Sequence, residues 1–361
     1  MRLFSPNYRG LRFSVAVVLL WLVACAGGDP TETEVKQRMV STARTVVIEP
    51  SYEDLKAKAT SISEAVNELC NVPSVERLAD ARDAWIQAAK SWATIQQAGI
   101  GPIKIDNNDL RVSFYPDDNG LTERQVNTLL ASDAVINAES LSGESASVQG
   151  LSGLEWVLFD DAFTERWFAA DTRLCAYGVA AANYTSTLIT DVLSQWLGEF
   201  GESFVASDAA VGSLSDYLNA HIALLEFIKL QKLSAPLSEN SAGIKAAVES
   251  PHARISLELI RDNLVGLRDA YNNKLAYGFD DYLRELLEAY ELNSKVLDQY
   301  VQTISRLDSI DSDLQQALTT ESGRAQVEAL LNDVSTLIGF YKGDLAQAVD
   351  VYVSFNANDG D

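Results

Sequence analysis

Apolar residues along this chain recur at intervals of three and four far more often than at two, which is the spacing of one helix face rather than of a strand. Between 52 and 70 the stripe is Leu55, Ala59, Ile62, Val66 and Leu69. Pro73 falls where the first turn of a following helix tolerates it. Val75, Leu78, Ala81, Trp85, Ala88 and Trp92 then form a second stripe that ends near Gly99. The run GIGPIK at 99–104 breaks that helix, and IDNNDLRVSFYPDDNG at 105–120 reads as a loop. A short helix is expected near 122–136, a loop from Gly143 to Gly150, and a further short helix over 151–160. Longer helices follow at 172–199 and 213–233, the second with Leu214, Leu218, His221, Leu225 and Ile228 along a face. Segments 254–276 and 280–308 read as a pair around Tyr277-Gly278, and a last helix spans 322–353. No strand-rich stretch is present. The expected fold is all-α, with two antiparallel helical-bundle subdomains, residues 51–200 and 201–361, and a cleft between them.

Ahead of this pattern the chain changes character. Arg2, Arg9 and Arg12 precede an apolar run at 13–24, FSVAVVLLWLVA. The run suits a signal peptide and is short of the ~20 residues that span a bilayer. It ends Leu22-Val23-Ala24-Cys25, which resembles a bacterial lipobox, so residues 1–24 read as a signal peptide and Cys25 as the lipidated N-terminus. Ala26, where an Asp would signal retention, implies the outer membrane by resemblance to lipoprotein sorting. Residues 25–50 open with AGGDPTETE after the cysteine and read as a tether, with a span of roughly 25–30 Å.

Charge and cysteines narrow the classes. Formal net charge is −23, so phosphate backbones are repelled and nucleic-acid binding is excluded as a role. With Cys25 set aside, Cys70 and Cys175 remain, and an even pair in an exported protein reads as a disulfide. Two distant cysteines lack the spacing of a zinc or iron–sulfur site.

Three segments carry a family resemblance. GLSGLEWVLF at 150–159 resembles the imelysin signature, Gly-x-His-x-x-Glu followed by an aromatic and apolar residues. ESPHARIS at 249–256 resembles the family's serine-rich helix entry, and SFNANDGD at 354–361 resembles its ending. The Trp85–Trp92 helix, Gly101-Pro102 and Tyr115-Pro116-Asp117 fall in family order. The resemblance covers roughly residues 50–361. It implies a link to bacterial iron acquisition, hence a metal-related or haem-related ligand, with iron-uptake or other envelope proteins as partners. The sequence itself requires no cofactor.

One departure changes the picture. Ser152 stands where the signature has His, while Glu155 is kept. Positions i and i+3 share a helix face, and a serine is a far weaker ligand for transition metals than imidazole. The chain has two histidines, His221 and His252, and no His-Glu-x-x-His, so the usual zinc-protease layout is missing. A Ser–His–Asp triad on Ser152 has no nucleophile-elbow motif behind it. The reading that follows is a non-enzymatic, periplasm-facing outer-membrane lipoprotein that binds a ligand or partner, held to the membrane through Cys25. An imelysin-type metallopeptidase and a ligand-free structural envelope protein are the alternatives.

Gly150, Ser152, Glu155, Trp85, Tyr115, Asp117, Arg254 and Ser256 are expected to line the cleft, and Glu155 is the best single candidate for a cation. A buried carboxylate needs a partner. Arg254 or Arg82 in an ion pair, or a ligand in the cleft, would each supply one. His221 sits on an apolar stripe and reads as a core histidine. His252 follows Pro251 at a helix entry, either exposed or facing the cleft. Trp85 and Trp92, seven apart, fit a core stripe, with a stacking platform as the functional alternative.

Overall fold

In the computed structural model, residues 30–354 are described apart from residue 118 and residues 240–242. The signal peptide, Cys25 and the ending at 355–361 lie outside the described residues. Those described form helices and no strand. The longer ones are α1 (Glu32–Thr42), α2 (Glu49–Asn71), α3 (Val75–Ile95), α4 (Leu121–Ala131), α5 (Gly150–Phe159), α6 (Thr172–Leu197), α7 (Ala210–Phe227), α8 (Ser256–Tyr271), α9 (Tyr290–Asp308) and α10 (Glu321–Gly339).

The stripes read from the sequence are the buried faces. Leu55, Ala59, Ile62, Val66 and Leu69 of α2 are each at most 1% exposed. On α3, Leu78, Ala81, Trp85, Ala88 and Trp92 are buried, while the first member of the stripe, Val75, is exposed. Pro73 sits before the helix rather than in its first turn, and Ser74 caps α3 by accepting the Arg77 N–H at 3.1 Å. Helix α2 packs on both α3 and α6. Helices of the two halves share one core: α3 packs on α8 and α1 on α7. The described residues from Glu32 onward form a single compact unit, so no gap in packing marks the expected boundary at residue 200.

Cys70, at the end of α2, is disulfide-bonded to Cys175, in the first turn of α6, with their Cα atoms 5.6 Å apart and a sequence separation of 105. In the chain-entropy account, closing a loop that long stabilises the fold by as much as about 4.7 kcal/mol.

Beyond Pro73, the structure departs most from the sequence reading in three segments. Residues 32–48 are not a tether. They form α1 and a π-helical segment, Ala43–Ile48, that runs directly into α2. Val35, Met39, Val40, Val47 and Ile48 enter the core. Asn273 donates to the Met39 carbonyl at 3.2 Å and so ties α1 to the second half. Secondly, the loop expected over 105–120 is helical in its first part, with turns at Gly101–Asn107 and Asn108–Val112. Thirdly, the helix expected over 280–308 is interrupted. A π-helical turn ends at Leu286, Glu288 takes a left-handed conformation (φ 52°), and α9 starts at Tyr290.

A tether and a core helix differ in what a truncation costs. Met39 is 1% exposed, so Met39→Ala should destabilise the protein by about 2–5 kcal/mol in denaturant unfolding. An unchanged unfolding midpoint would return this segment to the status of a linker.

Candidate functional site

The signature helix α5 is placed by two close approaches. Gly150 has φ 64°, and a Cβ there would sit 2.2 Å from the Arg111 carbonyl oxygen, so only glycine fits. One turn on, a Cβ at Gly153 would meet the Tyr177 hydroxyl at 2.0 Å, and that hydroxyl donates to the Val148 carbonyl at 3.0 Å. Gly150 and Gly153 thus let α5 lie against the 108–112 turn and α6. Gly150 shapes the site without lining it.

Beside α5 opens a cavity of about 410 Å³ walled by both halves of the chain. Trp85, Trp92, Phe114, Tyr115 and Trp156 give it an aromatic lining, and Asp117, Ser152, Glu155, Glu123, Lys245, Glu249 and His252 add polar groups. Five of the residues expected from the sequence therefore meet here: Trp85, Tyr115, Asp117, Ser152 and Glu155. Trp85 also belongs to the core, with its indole N–H donating to the Leu151 carbonyl at 2.9 Å.

Glu155 is 5% exposed. Its expected arginine partner is absent. Arg254 instead pairs with Asp313 at 2.7 Å and is exposed, away from the cavity. Arg82 donates to the Leu158 carbonyl at 2.6 Å. The Glu155 Oε1 accepts the backbone N–H of His252 at 2.9 Å and of Ala253 at 3.0 Å. Both amides come from a turn bracketed by left-handed residues, Ser250 (φ 49°) and Arg254 (φ 61°), and closed by the Arg254 N–H on the Ser250 carbonyl at 2.9 Å. Such a turn directs successive N–H groups at one anion. Burial nevertheless dominates and raises the Glu155 pKa to about 7. The two amides pull it down, and the nearby charge of Glu249 pushes it up.

The remaining groups are also fixed in place. Ser152 Oγ accepts the Phe114 N–H at 2.9 Å and approaches the Phe114 carbonyl at 3.3 Å. Where the family signature has an imidazole, this hydroxyl anchors the 113–117 strand of loop. Tyr115 donates to the Gln231 carbonyl at 2.8 Å, with the Ala247 carbonyl at 3.0 Å. Asp117 lines the cavity, but its two oxygens accept the Leu121 and Thr122 N–H groups at 2.7 and 2.9 Å and so start α4. Ser256 does not line the cavity; its hydroxyl donates to the Glu249 carbonyl.

Glu123 and Glu249, which carried no expectation from the sequence, complete the site together with His252, expected either exposed or facing the cleft. Glu249 pairs with the buried Lys232 at 2.8 Å, and Lys232 also donates to Asn263 at 2.7 Å. His252 faces the cavity, with Nε2 3.1 Å from Glu123 and Nδ1 3.3 Å from Asp160. Burial, then the charge of Lys245, lowers its pKa against the pull of both carboxylates. Only the ESPH run hinted at these groups. His221 is a core residue: it is fully buried among Tyr217, Phe279 and Tyr341 rings, and burial lowers its pKa to about 3.

A peptidase metal does not fit this donor set. Of the two signature positions, Ser152 is engaged by the Phe114 backbone and Glu155 by two amides on its Oε1. Among the described residues no three His, Cys, Asp or Glu side chains are grouped to hold a metal ion.

The raised pKa of Glu155 has a definite pH signature. Between its ordinary value of 4.5 and about 7 the folded protein binds a proton that the unfolded chain has released. Stability supplied by this group is full below pH 4.5 and falls as pH rises towards 7. Glu155→Gln should flatten that part of the stability–pH curve in urea unfolding. An identical slope in both proteins would mean that Glu155 is not protonated in the folded state.

Comparison with known proteins places the fold. The structure resembles that of an imelysin-like protein from Psychrobacter arcticum 273-4, with a TM-score of 0.76 and 22% identity over 90% of this chain and 99% of that one. It also resembles an iron-regulated protein A precursor from Parabacteroides distasonis ATCC 8503, with a TM-score of 0.69 and 20% identity over 89% and 97% of the two chains. No curated protein matches the sequence. The family model for imelysin, named as a peptidase family, matches residues 48–339. With that match spanning most of its length, the chain belongs to the imelysin family.

Proposed function

We propose that this protein is a ligand-binding protein of the bacterial envelope with a role in iron handling, and that its ligand is held in the cavity beside Glu155. The observation that carries the reading is the state of that side chain. A carboxylate with no cationic partner among the described residues sits at an aromatic cavity of about 410 Å³, held by two backbone amides. Burying such a group costs stability unless something offsets it, and a cation or hydrogen-bond donor of a ligand would do so. Pockets at the meeting of two halves of a fold, apolar with a few converging polar groups, are where small ligands bind.

The iron link rests on the structural neighbour described as an iron-regulated protein A precursor. The aromatic walls favour an organic ligand, with haem and iron chelates as the first candidates, over a bare ion. Among the described residues no helix is long and apolar enough to cross a membrane. Attachment is proposed to run through a lipid on Cys25, with the body facing the periplasm from the outer membrane. Peptidase activity is not part of this reading, because Ser152 replaces the imidazole that would bind and orient a metal and is occupied with the Phe114 backbone.

The test is a thermal and calorimetric titration of the untagged protein with ferrous and ferric iron, zinc, calcium and haem. A ligand present at 100 times its dissociation constant should stabilise the fold by about 2.7 kcal/mol, and Glu155→Ala should abolish that gain. If no ligand binds and Glu155→Ala only lowers the melting temperature, the carboxylate is structural and the reading fails. Chelator-sensitive hydrolysis of a peptide mixture would restore the metallopeptidase.

A further inference from the structure

We propose that the ligand is an amphiphile of defined order: a cationic or donor head at Glu155, a carbonyl-type acceptor at Trp92, and an apolar tail in a second chamber. This rests on the reading of the first cavity as a ligand site and adds the chemical class of the ligand. A second cavity of about 170 Å³ adjoins the first, and Trp92, Ser113 and Tyr115 belong to the walls of both. Beyond these shared residues its lining is chiefly apolar, with Tyr52, Ile95, Ile103, Leu224 and Phe227. Its charged residues, Lys104 and Asp109, neutralise one another at 2.6 Å. The chamber therefore offers burial to hydrocarbon and little to a charge.

At the junction stands an unsatisfied donor. Trp92 is 5% exposed, and its indole nitrogen has no hydrogen-bond partner. Trp85 and Trp167 donate to the Leu151 and Val157 carbonyls at 2.9 and 2.7 Å, whereas the indole of Trp196, in the core, shares the lack of a partner. An indole N–H can only donate, and buried donors without acceptors are rare and costly. Where two chambers meet, the missing acceptor is the ligand's to supply. The order of chemistry along the site is then fixed: the acidic group in the first cavity, the N–H at the junction, hydrocarbon walls beyond. An amine joined through an amide or ester carbonyl to an acyl chain matches that order.

The experiment is isothermal titration of the purified protein with N-(2-aminoethyl) amides of acetic, butanoic, hexanoic and octanoic acids, with octylamine as the carbonyl-free control. Affinity should rise by up to about fourfold for each added methylene until the second chamber is full. Ala223→Trp, which fills that chamber, should remove the chain-length gain and leave the acetamide member unchanged. Trp92→Phe keeps an aromatic wall and removes the N–H. It should weaken the octanamide by about two- to tenfold and leave octylamine unaffected. A series that binds without chain-length dependence, or an octanamide indifferent to Trp92→Phe, overturns the proposal while the acetamide member still reports a working first cavity. If no amide binds but haem or a metal binds through Glu155, the proposal alone falls. If nothing binds at all, both readings fall.

Discussion

Glu155 and the turn at Ser250–Arg254 set the geometry on which the site depends. Two backbone amides from the second half of the chain converge on one carboxylate oxygen from the first. Their alignment requires left-handed backbone at Ser250 and Arg254, a conformation that costs energy for non-glycine residues and persists only where the surroundings impose it. The surroundings here are specific. Ser256 holds the Glu249 carbonyl, Lys232 holds the Glu249 carboxylate, and Gln315 donates to the Pro251 carbonyl at 2.6 Å. The same turn then carries His252 and Glu249 into the cavity wall. These hydrogen bonds thus link the signature helix to the polar half of the pocket.

The cavity wall is unusual in how its charges are distributed. Behind the wall, Lys232 is 1% exposed and is consumed by the wall residue Glu249 and by Asn263. His252 lies between two carboxylates, and burial opposes its ionisation. Lys245, which lines the mouth, is exposed. The deep part of the pocket therefore offers acceptors and aromatic faces in preference to available cations. On the proposed reading, that arrangement disfavours anionic groups beside Glu155 and leaves room for donors.

Most of the helical layout was legible in the sequence, because uninterrupted three–four spacing on α2, α3 and α7 translates directly into a buried face. The failures have a common physical origin. Val35, Met39 and Val40 are followed by a π-helical segment that shifts the stripe before Val47 and Ile48, so the periodicity fades where the helix does not. The left-handed Glu288 interrupts the segment expected over 280–308 in the same way, by a backbone event without a proline or glycine to announce it. The site was partly legible. Trp85, Tyr115, Asp117, Ser152 and Glu155 converge as expected, since they sit on helices and loops whose order was recognisable. Arg254 was misjudged because its side chain turns outward to Asp313, and the main-chain amides that meet Glu155 leave no trace in side-chain identity. Ser256 and Gly150 support the site from outside it for related reasons: one closes the turn, the other permits a close approach.

The disulfide has a mechanical side. Cys70 and Cys175 bracket the stretch that contains Trp85, Trp92, Tyr115, Ser152 and Glu155, so every first-half residue of the cavity wall lies inside a covalently closed ring. A pull applied between the two ends of the chain passes from Cys70 to Cys175 through the sulfur bridge and bypasses that ring. The first-half walls of the pocket bear no tension along the backbone, and a protease that clipped the ring once would leave both fragments joined. The stretch of chain that supplies the aromatic wall and Glu155 is thus also the stretch shielded from load.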